Sequence, residues 1–241
     1  MNAMVLAAGL GTRLKPWTLT HPKALVPVGG VPMLQRVIEN LREQGFDRIV
    51  VNVHHFAGQV VQFLNEHDFG IEVMVSDETG CLLDTGGGLL NARGLLKPET
   101  GPVLIHNTDI ISNADLRRLM ERHIETGADS TLLVSSRNSS RRLVFDPAMR
   151  LEGWHNVQTG EFRPAGFVAV PESRELAFSG IHVAGEKLFA EMERIIGHGK
   201  FSIIDFLLSP LHECDIMGFE QRDLSLIDIG KPETLSMANK L

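Results

Sequence analysis

The residues with the clearest chemical potential lie in one loop near the start of the chain. Residues 6–16 read LAAGLGTRLKP, so Gly9 and Gly11 follow directly after an apolar run. Glycines at these positions adopt backbone conformations closed to other residues, and they leave bare N–H groups where phosphate oxygens can bind. The loop is therefore predicted to cradle an anion, with contacts from Leu6, Ala7, Ala8, Gly9, Gly11 and Thr12.

Two basic residues favour a polyphosphate as the ligand of this loop. Arg13 lies within the loop, and Lys23 follows ten residues later in the proline-flanked segment 21–28, HPKALVPV. A planar guanidinium and a point-like ammonium together suit a chain of phosphate groups. The third glycine of a dinucleotide-binding G-x-G-x-x-G would fall on Leu14, and no Gly-Lys-Ser/Thr follows. The pattern therefore indicates neither a dinucleotide-binding loop nor a Walker loop.

The elements that must position these residues alternate between strand-like and helix-like segments through the first half of the chain. In residues 31–44, the apolar side chains of Leu34, Val37, Ile38 and Leu41 recur at helical spacing. The predicted strands cover residues 5–8, 49–53, 71–75 and 102–106, and the other predicted helices cover 58–66 and a stretch from about 88. Repeated strand–helix–strand units predict parallel strands covered by helices on both faces.

The pattern changes after about residue 130. Short β-like runs among Gly, Pro and Asn predict hairpins attached to the sheet, at residues 131–134, 142–145, 167–170 and 177–183. Two final helices are predicted at 203–212 and 232–240, around a short strand at 215–219. No repeat or low-complexity linker divides the chain, so one domain over residues 1–241 with a β-rich insertion is predicted.

Composition excludes several other classes of protein. The 241 residues are 43% hydrophobic and 22% charged, which suits a globular core and excludes disorder and fibres. A net charge of −7 gives no electrostatic reason to expect a nucleic acid or an anionic membrane as a partner. Cys81 and Cys214 form neither a disulfide framework nor a zinc motif, and no apolar run reaches membrane-spanning length. We expect a soluble protein of a reducing compartment, the cytoplasm.

The glycine loop, followed by the segment that contains Lys23, resembles the two-part signature of sugar-1-phosphate nucleotidyltransferases. Further matching pieces follow in order: LDTGGGL at 83–89, NTD at 107–109, FSGI at 178–181, DIG at 228–230 and PE at 232–233. The resemblance implies an α/β fold with a Rossmann-like mixed, mostly parallel sheet and helices on both faces. It also implies a nucleotide-binding part at about 1–130 and a sugar-phosphate-binding part at about 131–241.

The resemblance implies roles for individual residues. Arg13 and Lys23 would bind the phosphates of a nucleoside triphosphate, and Asp109 and Asp228 would hold a catalytic Mg²⁺. Two carboxylates suit this ion, which completes its shell with water and substrate phosphates. A sugar phosphate is already ionised and needs no general base, so the expected catalytic residues are Arg13, Lys23 and Asp109. Nucleotide contacts are further expected from Glu78, Thr85, Gly86 and Gly87, and sugar-phosphate contacts from Asn107, Ser179, Gly180 and Ile181.

The identity of the two substrates is divided between alternatives. The LDTGGG and FSGI forms resemble the uridylyltransferase subgroup that acts on N-acetylmuramate α-1-phosphate, which favours UTP. In that case, backbone N–H groups around Gly86 would serve the uracil oxygens, and Lys200, Arg141 or Arg142 would hold the lactyl carboxylate. Glu78 favours GTP instead, because a carboxylate accepts the two donors of guanine and is repelled by the oxygens of uracil. Transfer from GTP, as in mannose-1-phosphate guanylyltransferases, is therefore the alternative.

The sequence differs from the family motifs at two places, and it disfavours two other kinds of protein. Thr108 replaces the glycine of a common Asn-Gly-Asp motif, and the Glu-Lys-Pro of many members is missing; its nearest substitute is LEGWHN at 151–156. A regulatory subunit that binds nucleotide sugar without turnover is disfavoured, because all four charged site residues are present. A dehydrogenase is disfavoured because no acidic ribose ligand lies near Gly29 and Gly30. The oligomeric state is left open.

Overall fold

A computed structural model describes residues 1–230 and 232–238 of the chain. Its first half confirms the predicted alternation of strands and helices. The strands are β1 (Asn2–Leu6), β2 (Pro27–Val28), β3 (Val31–Pro32), β4 (Arg48–Val53), β5 (Glu72–Asp77), β6 (Val103–Asn107) and β7 (Ile110–Ser112). The helices are α1 (Met33–Glu43), α2 (Ala57–Glu66), α3 (Asp84–Asn91), α4 (Arg93–Leu96) and α5 (Leu116–Thr126).

The second half contains three of the four predicted β-like runs. Its strands are β8 (Ser130–Ser135), β9 (Arg141–Phe145), β10 (Leu151–Asn156), β11 (Glu161–Arg163), β12 (Arg174–Ala184), β13 (Ile216–Glu220) and β14 (Leu226–Asp228). The three confirmed runs are β8, β9 and β12, but the hairpins join β9 to β10 and β10 to β11, and β10 and β11 were not predicted. Its helices are α6 (Glu186–Ile195), α7 (Ile203–Leu207) and α8 (Pro232–Ala238). The last two residues of the helix predicted at 232–240 lie outside the described residues.

Several predicted boundaries are wrong. Residues 167–170 form no strand, and Val168 and Val170 are 81% and 48% exposed there, so these two side chains gain little burial that would favour pairing. Helix α7 ends before Pro210, which lacks a backbone N–H and restricts the residue before it. Helices α5 and α6 were not predicted, although Asp115 caps α5 by accepting a hydrogen bond from the Arg118 amide at 2.9 Å.

The main sheet has the strand order β5-β4-β1-β6-β12-β8-β13. Strand β1 is parallel to both neighbours, with Leu6 opposite Asn52 on β4 and opposite Asn107 on β6. Strand β12 runs antiparallel to β6 and β8, which makes the sheet mixed. The first residues of β12 pair with β9 instead, and β9, β10 and β11 form the β-rich insertion.

Helices cover both faces of this sheet, as the parallel pattern predicts. On β1, Ala3 and Val5 face a core shared with α1, α2 and α5, whereas Met4 faces a core shared with α3, α4, α6 and α7. All three side chains are fully buried. None of the described helices combines the length and apolar character that crossing a bilayer would require. The carboxyl ends of β1, β4 and β6 meet at one edge, which is where the predicted site residues gather.

Candidate active site

Two cavities open at this edge of the sheet and share one wall. The first cavity has a volume of about 300 Å³ and is lined by Leu6, Ala7, Ala8, Gly9, Lys23, Ala24, Leu82, Asp84, Thr85, Asn107, Thr108, Asp109 and Lys200. The second cavity, of about 920 Å³, is lined mainly by residues of the β-rich half, together with Arg13 and Asp228. Asn107, the last residue of β6, lines both cavities.

The glycine loop forms one side of the first cavity. Gly11 has a φ of 62°, and a side chain there would collide with Lys23 and with Thr18, whose hydroxyl donates to the Gly11 carbonyl at 2.9 Å. Gly11 is therefore required by the turn. Gly9 faces open space, and no acceptor for the N–H of Gly9 or Gly11 is found in the described part of the chain. Of these two glycines only Gly9 lines the first cavity, and the anion cradle stays a prediction.

The amides at the start of the loop have a different role. Asn52, at the end of β4, accepts hydrogen bonds from the N–H of Ala7 at 2.6 Å and of Ala8 at 3.3 Å. These two N–H groups therefore point at Asn52 and hold the loop in place. Asn52 was not predicted as a site residue, because the pairing that brings it beside the loop is between strands 45 residues apart.

Lys23 and Asp109 form an ion pair across the first cavity. Their side chains are only 16% and 18% exposed. Lys23 lies on a 3₁₀ turn, Lys23–Leu25, and Asp109 follows β6. The lysine predicted to bind phosphate and the aspartate predicted to bind metal are thus in contact. A phosphate can replace the aspartate as the partner of Lys23, and a metal cation can replace the lysine as the partner of Asp109.

Asp228 and Arg13 meet at the wall between the cavities. Strand β14 pairs with β7, and the Ile229 amide donates to the Asp109 carbonyl at 2.8 Å, so the two aspartates lie on adjacent segments. The Gly230 amide donates to Asp228 Oδ1 at 2.7 Å. A Cβ at Gly230 would lie 2.7 Å from both Asp228 Oδ1 and Arg13 Nη2, which places the guanidinium beside this carboxylate.

The second cavity carries an unusual density of arginines. Arg163 is paired with Glu161 and Asp205, and it lies over the ring of Trp154 at 4.8 Å. In residues 1–230 and 232–238, no carboxylate lies within 4.0 Å of the other four arginines that line the cavity, namely Arg13, Arg137, Arg141 and Arg142. Trp154 and Asn156, from the segment proposed to replace Glu-Lys-Pro, also line it.

The predicted sugar-phosphate residues divide between cavity and core. Ser179 and Gly180 line the second cavity, and Gly180, with a φ of 79°, leaves space for the Asn107 amide. Ile181 is fully buried in the core and lines neither cavity. Thr108, which replaces the glycine of the common Asn-Gly-Asp motif, lines the first cavity and donates its hydroxyl to the Leu6 carbonyl at 2.5 Å, which ties the end of β6 to the end of β1.

Glu78 lies behind the wall of the first cavity and is only 3% exposed. Its Oε1 accepts from the Asn52 amide at 2.7 Å, and its Oε2 accepts from the Leu83 N–H at 3.4 Å. Burial raises the pKa of this carboxyl, and the hydrogen bond from Asn52 opposes the shift. Gly88 makes room for the carboxylate, since a Cβ there would lie 2.5 Å from Oε1. Both acceptor oxygens are thus engaged within the protein.

The triple glycine does not meet a ligand in the way predicted from sequence. The N–H groups of Gly86 and Gly87 donate to the Phe201 carbonyl at 2.9 and 3.2 Å, so the expectation that they serve uracil is wrong. Side chains at these glycines would collide with Phe201 and with the Gly199 carbonyl. The segment 199–203 therefore packs on α3, and Thr85 also accepts from the Ile203 amide at 2.9 Å.

This packing brings a further cation to the first cavity. Lys200 lines it beside the glycine loop, whereas Arg141 and Arg142 line the second cavity. Lys200 therefore lies in a different cavity from Arg141 and Arg142, the other two candidates for binding the lactyl carboxylate. Thr12 lies on the turn beyond Gly11 and does not line the first cavity.

Comparisons with known proteins identify the family. The sequence model of the family described as "Nucleotidyl transferase" matches residues 2–145. The N-acetylmuramate alpha-1-phosphate uridylyltransferase of Caulobacter vibrioides is 31% identical over 78% of this chain and 77% of its own length. Mannose-1-phosphate guanylyltransferase 1 of Arabidopsis thaliana is 34% identical over 56% of this chain, and the match spans only 38% of that protein.

A solved structure shares the fold over the full chain. HddC from Yersinia pseudotuberculosis, complexed with GMP-PN, matches with a TM-score of 0.78 at 24% identity, over 99% of this chain and 98% of that chain. The family model covers more than half of the sequence, and the Caulobacter relative is matched over most of its length. On this evidence, the chain belongs to the nucleotidyl transferase family.

Proposed function

We propose that the protein transfers a nucleoside monophosphate from a nucleoside triphosphate to a sugar 1-phosphate and releases pyrophosphate. The observation that carries this proposal is the shared wall between the two cavities. The first cavity offers glycine-loop amides and Lys23, and the second offers four arginines that form no ion pair in the described part of the chain. Two anionic substrates can therefore approach from opposite sides of Asn107 and the two aspartates.

The residues at this wall suit the charge problem of the reaction. An oxygen of the sugar phosphate forms a bond to the α-phosphorus while the bond from that phosphorus to the oxygen of the leaving pyrophosphate breaks. Both reactants are anions, so Lys23 and Arg13 are proposed to neutralise and orient them. The attacking oxygen carries no proton at neutral pH, so catalysis needs positioning and electrostatic stabilisation and no general base.

Asp109 and Asp228 are proposed to hold a divalent cation, Mg²⁺. The donor set fits this ion, because two carboxylates lie on segments joined by the hydrogen bond from Ile229 to Asp109. No group of three or more metal-ligating side chains is found in the described residues, so water and substrate oxygens would complete the shell. When bound, Mg²⁺ would stabilise the negative charge that develops on the phosphate groups.

For the substrates we propose UTP and N-acetylmuramate α-1-phosphate. Support comes from the Caulobacter relative and from the second cavity, where Arg141 and Arg142 offer partners for the carboxylate of this acidic sugar. Transfer from GTP to mannose 1-phosphate remains the alternative, supported by the Arabidopsis relative. Glu78 no longer favours GTP, because its oxygens are engaged by Asn52 and Leu83. We further propose a cytoplasmic enzyme, consistent with the free thiols of Cys81 and Cys214.

A screen of pyrophosphate release tests this proposal. Four nucleoside triphosphates are paired with a panel of sugar 1-phosphates, with and without Mg²⁺. The expected result is Mg²⁺-dependent release that is fastest for UTP with N-acetylmuramate α-1-phosphate. A higher kcat/KM for GTP with mannose 1-phosphate would overturn the substrate assignment, and release from no pair would overturn nucleotidyl transfer itself.

A further inference from the structure

We propose that Arg137 binds the phosphate group of the sugar 1-phosphate, as a substrate-binding residue that the family motifs do not contain. This inference rests on the proposed function and assigns one further side chain to it. Arg137 follows β8 by two residues and lines the second cavity together with Arg13, Asn107 and Asp228. It is hydrogen-bonded to Phe178, two residues before the Gly180 that lies against Asn107, and Asn107 is the residue that lines both cavities.

The backbone of β12 positions the Arg137 guanidinium. Its Nη2 donates to the Phe178 carbonyl at 2.9 Å. Phe178 directly precedes the irregular stretch of β12 that contains Ser179 and Gly180, two other residues of the cavity wall. One edge of the guanidinium is thus fixed to the protein, which leaves the rest of this planar donor for a ligand.

Arg137 forms no ion pair within 4.0 Å in the described residues. Its Nε is buried and has no hydrogen-bond partner there. Burial lowers the pKa of this guanidinium, and the charge of Asp228 opposes the shift. Arginine nonetheless stays protonated in proteins. The buried Nε is closed to a ligand, but the half-buried charge of the guanidinium lines the cavity without an ion-pair partner. Such a charge is costly unless an anion pairs with it, so an anionic group in the cavity would complete the site.

The position of Arg137 selects which anionic group that is. Arg13 lies close to Asp228 at Gly230, and Arg137 is hydrogen-bonded to Phe178, two residues before the Gly180 that lies against the Asn107 amide. Arg141 and Arg142 begin the neighbouring strand β9 instead. In the proposed reaction the 1-phosphate must reach the wall that carries Asp228, whereas other substituents of the sugar can lie farther away. The phosphate is therefore assigned to Arg137.

Kinetics of Arg137→Met and Arg137→Lys test this assignment, with the exposed Arg222→Met as the matched control. We expect Arg137→Met to raise KM for the sugar 1-phosphate at least tenfold and to change KM for the nucleoside triphosphate less than twofold. Arg137→Lys should recover only part of the loss, because an ammonium restores the charge without the planar donor. Arg222→Met should match the wild type.

Binding of N-acetylmuramate α-1-phosphate alone, by calorimetric titration, separates this inference from the proposed function. Weaker binding to Arg137→Met than to wild type, at an unchanged melting temperature, supports the inference even if no pair of substrates turns over. Equal binding and an unchanged KM overturn it. Equal rises in both KM values together with a lower melting temperature also overturn it, because Arg137 would then only support the fold.

Discussion

The two cavities differ in how far the protein satisfies its own polar groups. Around the first, Asn52 holds the Ala7 and Ala8 amides, Glu78 holds Asn52, and Lys23 is paired with Asp109. Around the second, Arg13, Arg137, Arg141 and Arg142 have no carboxylate within 4.0 Å among the described residues. The first cavity is preorganised by internal bonds around the free amide of Gly9, whereas the second presents arginines that form no ion pair in the described residues.

This difference suggests a division of work. A preorganised wall loses little entropy when a ligand binds and holds the same geometry for each ligand. Unpaired donors instead discriminate, because a ligand that fails to reach them leaves buried polar groups without partners. We therefore expect the first cavity to set the rate of the reaction, and the second to set which sugar phosphate is accepted.

The largest expected effect is at the wall that both cavities share. Asp109→Asn and Asp228→Asn should each lower kcat by roughly a thousandfold, because an amide keeps the shape of a carboxylate but not the charge that holds a divalent cation. Steady-state kinetics over a Mg²⁺ titration measure the effect. Asp223→Asn, in the exposed loop before β14, is the control and should behave as wild type.

Near-native turnover of either folded variant at saturating Mg²⁺ would show that the aspartate concerned is no metal ligand. A circular dichroism spectrum identical to that of the wild type establishes the folded state. Loss of turnover in one variant alone would leave a single carboxylate as metal ligand. The other aspartate would then serve only as the partner of the neighbouring Lys23 or Arg13.

Arg13→Lys should give the next largest effect. The substitution keeps the charge beside Asp228 but removes the planar fork, so kcat/KM should fall roughly thirtyfold, on the order of 2 kcal/mol of transition-state stabilisation. The ratio of kcat/KM values for variant and wild type measures this. A decrease of less than threefold would place Arg13 outside the reacting groups and would weaken the account of the shared wall.

Glu78→Gln tests whether the internal hydrogen bonds of Glu78 preorganise the first cavity. Gln can satisfy either Asn52 or the Leu83 amide but not both, so kcat/KM should fall about tenfold, as expected for one lost hydrogen bond to a charged group. The fall should be equal for UTP and GTP, since Glu78 acts through Asn52. A change in the UTP-to-GTP ratio of tenfold or more would make Glu78 a direct reader of the base.

The effect of Glu78→Gln on the free energy of unfolding should depend on pH. The pKa of Glu78 is raised above 4.5 in the folded state by burial, so its stabilising contribution is present at low pH and is lost as pH rises through the folded pKa. A glutamine side chain at this position does not titrate. The free energy of unfolding of Glu78→Gln relative to wild type should therefore increase from about pH 4 to about pH 7 in urea denaturation. A constant difference would contradict the raised pKa.

The smallest effect concerns the packing that brings Lys200 to the first cavity. A Cβ at Gly87 would collide with the Gly199 carbonyl, so Gly87→Ala should lower stability by about 1–3 kcal/mol. Gly94→Ala is the matched control, because Gly94 lies in helix α4 and faces open space, where alanine should stabilise slightly. Thermal unfolding compares the two. An equal melting temperature for both variants would contradict the close packing of segment 199–203.

The sequence predicts the parts of this molecule that depend on local pattern. The alternation of strands and helices and the cradle at Gly9 and Gly11 follow from periodicity and from glycine spacing. Asn52 and Arg137 could not be predicted in this way, because each becomes a site residue only through contacts with segments about 40 residues or more away. The Gly86–Gly87 pair shows the converse error, since its glycines admit Phe201 of the same chain and not a ligand.

A label on the α-phosphate of the nucleotide shows whether two anionic substrates react across the shared wall. UTP labelled at its α-phosphorus is incubated with N-acetylmuramate α-1-phosphate and Mg²⁺, and the products are separated by chromatography. We expect the label in a UDP-sugar, with one pyrophosphate released for each molecule formed. Label that remains in UTP, or that appears in UMP without a sugar product, would rule out transfer between the two substrates.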